Sequence, residues 1–414
     1  MTQSQTSPPE PAAPGPLPAF ESPFLRAPEE ARTVFLVTLT ATCVPLLAGM
    51  VFFGWRALTV SGLAIIGCAF FERLYFRVTK APGLLGRSHA YLTGVLLALT
   101  LPPFVPWYVP LIASAFAIIV GKAIFGGVGH FLWQPALVGR LAVAVIFPLT
   151  LSSPFPHHPR TWPVLAQDHL LTGDVMGARR VSDDQPWRGT RAPQGADAML
   201  MTPPALLLRG LTSGAEPQYS ALANVPEDLP RARPAALTEL PPINDFLYGA
   251  RPGGIGETCA VAILVAGLYL VYRNYVKWQL PLAILLSSCG VLAVAPVYLA
   301  GPGGITRMVW WPLLAEGLDT GFVYLCYQVL AGELLLAAFF LAPEMTSRPV
   351  MTGGQVIFGI GCGVIGTLLQ LYVDVPVPFY MGVLAMNTFT PVIDALWKPR
   401  VFGRKWLSLL SRNH

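Results

Sequence analysis

Four ionisable side chains, Arg140, Glu257, Glu333 and Asp394, lie within or beside long apolar runs of this sequence. A charged group that faces lipid is costly, so each must pair with another group, reach an interface or line a water-filled path. We therefore take these four residues as candidates for an ion or electron pathway. For Arg140, Glu257 and Glu333, a purely structural ion pair is the alternative.

Other residues of reactive type suggest less chemistry. Lys122, Glu316 and Asp319 lie near the ends of apolar runs, where we expect solvated side chains. The six cysteines fall in apolar runs without close pairs, so we predict neither a metal site nor a disulfide framework.

The apolar runs indicate the fold class. The chain has 414 residues, of which 54% are hydrophobic and 12% charged, with a mean hydropathy of +0.56. Spanning a bilayer takes about 20 apolar residues per helix. We therefore predict an all-α polytopic membrane protein with about ten transmembrane helices, near 33–53, 56–74, 88–104, 106–124, 136–152, 255–273, 280–300, 319–342, 354–373 and 378–396.

Charge in the short connections predicts the orientation. Lys and Arg gather in alternate connections and at the C-terminus, the pattern of cytoplasmic segments, so the net charge of +5 does not indicate nucleic acid. We predict a bacterial inner-membrane protein with both termini cytoplasmic. Residues 1–31 read as a disordered extension, 153–254 as an extracytoplasmic loop and 397–414 as a basic tail.

The loop divides the spans into two five-helix halves, 32–152 and 255–396. Five spans in each half require opposite orientations, which predicts two inverted repeats. A short echo links Phe131-Leu-Trp-Gln-Pro135 with Asn387-Thr-Phe-Thr-Pro391. Glycine and proline interrupt the apolar runs at Pro102-Pro103 and Gly253-Gly254-Ile-Gly256, and broken backbone at membrane depth often marks a binding site.

Several motifs occur in order along both halves. Together they resemble the RnfD/NqrB family, whose members are membrane subunits of Rnf complexes and of sodium-pumping NADH:quinone oxidoreductases. The similarity covers about residues 33 to 396. Its motifs are Gly94-Val-Leu-Leu-Ala-Leu-Thr-Leu-Pro102-Pro103, Gly121-Lys-Ala-Ile-Phe-Gly-Gly, Pro135-Ala-Leu-Val-Gly-Arg140, Gly254-Ile-Gly-Glu-Thr258, Gly332-Glu-Leu-Leu-Leu and Met386-Asn-Thr-Phe-Thr-Pro-Val-Ile-Asp394.

The resemblance implies a subunit of a redox-driven sodium or proton pump, with iron–sulfur and flavin subunits as partners. It also implies FMN joined through its phosphate to a threonine of the long loop, and the matching position is Thr202. A threonine hydroxyl can take a phosphoryl group, and the flavin would then pass electrons inward from the outer face. A second flavin is implied on the cytoplasmic side.

The chain departs from the family pattern at both flavin positions. Met199, Leu200 and Met201 stand where small residues usually precede the threonine, and Gly129-His-Phe-Leu-Trp-Gln-Pro135 lacks the usual asparagines. Thr202 could instead simply start a helix before Pro203. Two other functions therefore stay open: a stand-alone transporter or channel for a small solute, and a structural membrane anchor for redox subunits.

Overall fold

The computed structural model describes residues 31–79, 89–126, 130–152, 155–156, 200–201, 247, 253–300, 306–312, 318–330, 332–373 and 375–397. These residues are mostly helical. In the first half the helices are α1 (Ala31–Phe53), α2 (Trp55–Thr79), α3 (Ala90–Thr100), α4 (Tyr108–Ile118, extended by a π turn Ile119–Ala123), α5 (Pro135–Ile146) and α6 (Pro148–Ser152).

The second half repeats a similar series. Its helices are α7 (Ala260–Tyr272), α8 (Gln279–Val294), α9 (Leu318–Leu330), α10 (Leu334–Leu336, extended by a π turn Ala337–Leu341), α11 (Thr352–Tyr372) and α12 (Pro378–Leu396). Two short antiparallel ladders accompany the helices. Strand β1 (Phe155–Pro156) pairs with β2 (Leu200–Met201), and β3 (Val297–Ala300) pairs with β4 (Thr306–Val309).

Close helix contacts depend on small residues. In the first half α2 packs against α3 and α4, and α4 packs against α5. A Cβ on Gly94 of α3 would lie 2.6 Å from Cα of Ile65 in α2, and a Cβ on Gly139 of α5 would overlap the Ala113 carbonyl of α4. Only glycine allows these backbones to approach so closely.

The second half is packed in the same order. Helix α8 contacts α11, and α11 contacts α12. Helices α5 and α12 both begin with proline, Pro135 and Pro378, whose missing N–H costs nothing in the first turn. Four residues later each has a glycine at its main contact, because a Cβ on Gly382 would lie 2.9 Å from the backbone N of Gly366 in α11.

The halves meet through α1 against α7 and α5 against α12. The two segments of the predicted echo lie at the second of these contacts, where Trp133 Nε1 donates to Thr388 Oγ1 at 3.0 Å. Their prolines are not equivalent, however, since Pro135 begins α5 whereas Pro391 lies inside α12. The structural counterpart of Pro135 is Pro378.

The helix lengths support several membrane crossings. Among the described residues, α1 from Arg32, α2, α11 and α12 are long and apolar enough to span a bilayer. The pair Gly321–Leu330 and Leu334–Leu341 passes the same criterion together, with a bend of 63°. Five shorter apolar helices occupy the other predicted positions: Ala90–Thr100, Tyr108–Ala123, Pro135–Ile146, Ala260–Tyr272 and Gln279–Val294. The count of ten spans stays a prediction.

The breaks predicted at Pro102-Pro103 and before α7 are confirmed, because residues 101–107 and 253–259 lie between helices. The ends of the chain and most of the loop 153–254, including Thr202, lie outside the described residues.

Candidate functional site

The broken end of α3 is held by groups from elsewhere in the chain. The last carbonyls of a helix have no partner within it and must find one when they are buried. Leu99 O accepts the Gly256 N–H at 2.8 Å and Leu101 O accepts the Ile255 N–H at 2.9 Å. Between them, Thr100 O accepts from Nε of Arg140 at 2.9 Å. The guanidinium thus places positive charge at the negative end of α3.

Glu257 lies in the turn that supplies these amides. One oxygen, Oε2, accepts the Gly254 N–H at 3.1 Å, and the other, Oε1, accepts a hydrogen bond from the Tyr380 hydroxyl. Tyr380 lies in the first turn of α12 and is fully buried. Donors from the turn before α7 and from the start of α12 therefore converge on one carboxylate.

Glu333 faces the same place from the break before α10. Its carboxylate faces the backbone N–H groups of Phe379 and Tyr380 at the start of α12, where a helix N-terminus favours negative charge. It also interacts electrostatically with Glu257 and Arg140. Its Oε2 has no hydrogen-bond partner among the described residues.

We call Arg140, Glu257, Glu333 and Tyr380 the central cluster. When its two carboxyl groups and its guanidinium are ionised, it carries two negative charges and one positive, in partly or fully buried positions. Burying an unbalanced charge is costly, and a proton or a small cation would remove the imbalance. The cluster can therefore bind a proton or a cation where the end of α3 and the starts of α7, α10 and α12 meet.

The structure thus brings together three of the four predicted residues. Asp394 lies elsewhere, on α12 about 21 Å along the axis from Tyr380, where Oδ1 accepts the Val350 N–H at 3.1 Å. Its role in a pathway stays a prediction. Sequence reasoning missed Tyr380, although Pro378 marks a helix start and so the residues able to face a buried anion.

A second charged site lies between α2 and the π turn at the end of α4. Lys122 Nζ and Glu72 Oε1 are 2.9 Å apart, with side chains only 4% and 8% exposed. The expectation that Lys122 is a solvated end is therefore wrong. The π turn at the end of α4 places Lys122 inward, and hydrophobic spacing gave no signal for that turn.

Glu344 approaches this ion pair from the second half. It lies in the connection after α10, interacts electrostatically with Lys122 and lies beside the Gln134 amide. Burial raises the pKa of Glu344 to about 7, and Lys122 and the Gln134 amide oppose that rise. The Asn387 amide, oriented to satisfy both its groups, donates to Ser347 O and accepts from Gln134 N.

The structure describes residues near both expected flavin positions. Thr202 itself is not described, but Met201 immediately before it pairs with Phe155. Near the position expected for a second flavin, Gln134 Oε1 caps α5 by accepting the Leu137 N–H at 2.6 Å, and Trp133 bonds to Thr388. These groups are engaged within the protein, and the second flavin stays an untested expectation.

Sequence comparisons identify relatives of this chain. Residues 19–403 match the sequence model of the NQR2, RnfD, RnfE family. The chain is 31% identical to the D-type subunit of the ion-translocating oxidoreductase complex of Halorhodospira halophila, over 92% of this chain and 94% of that protein. It is 28% identical to the corresponding subunit of the proton-translocating ferredoxin:NAD(+) oxidoreductase complex of Clostridium ljungdahlii, over 93% and 95%. It is also 28% identical to that of the Na(+)-translocating ferredoxin:NAD(+) oxidoreductase complex of Acetobacterium woodii, over 92% and 94%.

Proposed function

Because the chain belongs to the NQR2, RnfD, RnfE family, we propose that it is the RnfD-type membrane subunit of an ion-translocating electron-transfer complex. Its location is the bacterial inner membrane, with both termini cytoplasmic and iron–sulfur and flavin subunits as partners. The observation that carries the proposal is the central cluster, in which two carboxylates and one guanidinium meet where helices are broken. Ionisable groups placed this way in a membrane protein commonly serve ion movement.

The ten spans form two inverted five-helix repeats in this proposal. Three features support it. The packing order α2, α4, α5 recurs as α8, α11, α12, the matched helices begin at Pro135 and Pro378, and Gly139 and Gly382 occupy the same position after those prolines. An odd number of spans in each half then gives the halves opposite orientations.

The residues of the central cluster divide the work. Glu257 and Glu333 accept the proton or cation. After the proton or cation has left, the start of α12 stabilises the ionised carboxylate of Glu333. Arg140 holds the end of α3, and its positive charge reduces the repulsion between the carboxylates of Glu257 and Glu333. The Tyr380 hydroxyl fixes the direction of the Glu257 carboxylate. Ion binding thereby links the first half of the chain to the second.

Thr202 carries FMN in this proposal, through a bond between its hydroxyl oxygen and the flavin phosphate. The flavin supplies one- and two-electron transfer when it is bound. Support comes from the position of Met201, whose Cα lies opposite Phe155 and therefore within roughly 16 Å of the end of α6 at Ser152. Met201 is thus held near the end of the first half, where the long loop begins.

The flavin proposal has a direct test. The protein is produced in cells that contain a flavin transferase, separated on a denaturing gel and examined for flavin fluorescence. We expect a fluorescent band from the wild type, none from Thr202→Ala, and retained fluorescence from Thr202→Ser as the matched control. A dark wild-type band would reject attachment at this residue.

The ion proposal is tested in sealed membrane vesicles that hold the complex. Glu333→Gln removes the charge with little change of shape, and we expect transport driven by electron transfer to fall by about tenfold or more, since a charged hydrogen-bonding group is worth about 1.5–3 kcal/mol. Glu333→Asp, which keeps the charge, should retain part of the transport. Normal transport by Glu333→Gln at a normal amount of assembled complex would reject the proposal.

A further inference from the structure

Another set of polar side chains is buried between α9 and α11. Tyr324 and Gln328 of α9 are 5% and 1% exposed, and Gln370 of α11 is 5% exposed. We call these three residues the outer polar cluster. Burying amides and hydroxyls in an apolar region costs free energy unless hydrogen bonds offset it, so such groups commonly have a structural or functional role.

The residues of the outer polar cluster contact one another. Gln370 Nε2 donates to Gln328 Oε1 at 2.7 Å, and the Tyr324 hydroxyl faces Gln328 from one turn away on α9. One turn from Gln370 along α11, Thr367 is fully buried, and its Oγ1 has no hydrogen-bond partner among the described residues. A polar surface therefore continues along α11 past the amide pair.

One end of this surface lies at the C-terminal end of α11. Tyr372, two residues beyond Gln370, is about half exposed, and its hydroxyl donates to Pro296 O at 3.1 Å. Pro296 lies between the end of α8 at Val294 and strand β3, next to the connection that the predicted orientation places on the outer side. The Tyr324 hydroxyl also interacts electrostatically with Tyr372.

The other end approaches the central cluster. Gln328 lies five residues before Glu333, across the 63° bend between α9 and α10. The Cα atoms of these two residues are therefore no more than about 18 Å apart. On the opposite wall, a Cβ on Gly366 would overlap the Phe379 ring, and the backbone N–H of Phe379 faces Glu333. Gly366 and Thr367 thus lie about one helical turn inward of Gln370, beside the start of α12.

We propose that Tyr324, Gln328 and Gln370 form the outer section of the ion path, between Glu333 and the outer surface. This inference rests on the proposed role of Glu333. Amide and hydroxyl oxygens can replace the water around a small cation, and they can hydrogen-bond to water that carries a proton. The section runs between α9 and α11, both in the second half, and not between the two halves.

The test replaces both amides together. The double variant Gln328→Leu with Gln370→Leu removes the hydrogen bond without leaving one buried amide unpaired. Gln355→Leu is the matched control, because Gln355 is on the same helix and 4% exposed but bonds to Pro349 O and Val350 O at the opposite end. Transport by the intact complex in proteoliposomes is measured with 22Na+ in one arm and with an internal pH indicator in the other.

We expect the double variant to lower transport about tenfold, the loss of roughly one hydrogen bond to the moving ion or its water. The Gln355→Leu control should stay within about twofold. The arm in which transport falls identifies the ion. If the ion is Na+, the double variant should also raise the apparent KM for Na+; if it is a proton, the double variant should change the solvent deuterium isotope effect on transport. A purely structural role would lower the amount of complex and leave these quantities unchanged.

Three outcomes would overturn the inference: unchanged transport by the assembled double variant, an equal loss in Gln355→Leu, or unchanged KM and isotope effect. If the double variant does not assemble, Tyr324→Phe decides, since it removes only a hydroxyl and should lower transport by about threefold. Glu333→Gln is measured alongside. When it blocks transport and the outer variants do not, only the outer section is wrong; when it has no effect, the proposed function is wrong.

Discussion

The buried pair of Lys122 and Glu72 gives the sharpest prediction about stability. At a separation of 2.9 Å and an effective dielectric constant of about 20, the attraction amounts to about 6 kcal/mol. Removing two ions from water costs several kcal/mol each, so the intact pair contributes little net stability. Removing one partner, however, leaves the other charge buried. We expect Lys122→Met to lower the free energy of unfolding by about 3–5 kcal/mol.

The double variant separates these effects. Lys122→Met with Glu72→Leu should lower stability by no more than about 2 kcal/mol, far less than the sum of the single variants. Glu72→Leu alone should cost less than Lys122→Met, because Glu344 also interacts with Lys122. Arg73→Met, on the same helix but exposed, serves as the control and should change stability by about 0.5 kcal/mol or less.

The assay is reversible unfolding in mixed detergent micelles, followed by tryptophan fluorescence. Additive losses in the double variant would refute the reasoning, because they would mean that the two charges do not depend on each other. A loss of less than about 1 kcal/mol for Lys122→Met would refute it as well, since that is the size expected of a solvated pair.

Three further predictions concern packing and pH. Gly139→Ala should lower the free energy of unfolding by about 1–3 kcal/mol in the same assay, whereas Gly62→Ala, with open space around it, should not; equal effects would contradict the close contact. The melting temperature should fall as pH rises from about 4.5 to 7.5, because burial raises the pKa of Glu344 to about 7 and its ionisation then opposes folding; Glu344→Gln should flatten this decline, and parallel curves would count against it. Trp133→Phe, which removes the bond to Thr388, should cost no more than about 1.5 kcal/mol in unfolding; a larger loss would mean that Trp133 does more than join the halves.

The sequence alone predicted the helices better than their ends. Apolar length identified the regions of α1 to α12. Pro102 and Pro103 marked the break after α3 because proline cannot continue the backbone hydrogen bonds. The predicted span 319–342 is broken before Glu333, and its hydrophobicity does not reveal a bend. The direction of a helix after such a break depends on its contacts with other helices, which hydrophobicity along the chain does not reveal.

The sequence predicted part of the candidate site. Cost in lipid singled out Arg140, Glu257 and Glu333, and the structure places them together. Tyr380 was missed because a tyrosine in an apolar run has the same sequence signal whether it faces lipid, core or a carboxylate. Lys122 was misplaced because a π turn changes the direction of a side chain without changing the residue pattern.

Water access to position 333 tests the central claim most directly. Glu333→Cys is introduced after the six native cysteines have been replaced, and a small cationic thiol reagent is added to membranes that hold the complex. Leu368→Cys, on the exposed apolar side of α11, is the matched control. The account predicts rapid labelling at 333 and slow labelling at 368. If position 333 is labelled as slowly as position 368 in the assembled complex, Glu333 does not lie on an ion path.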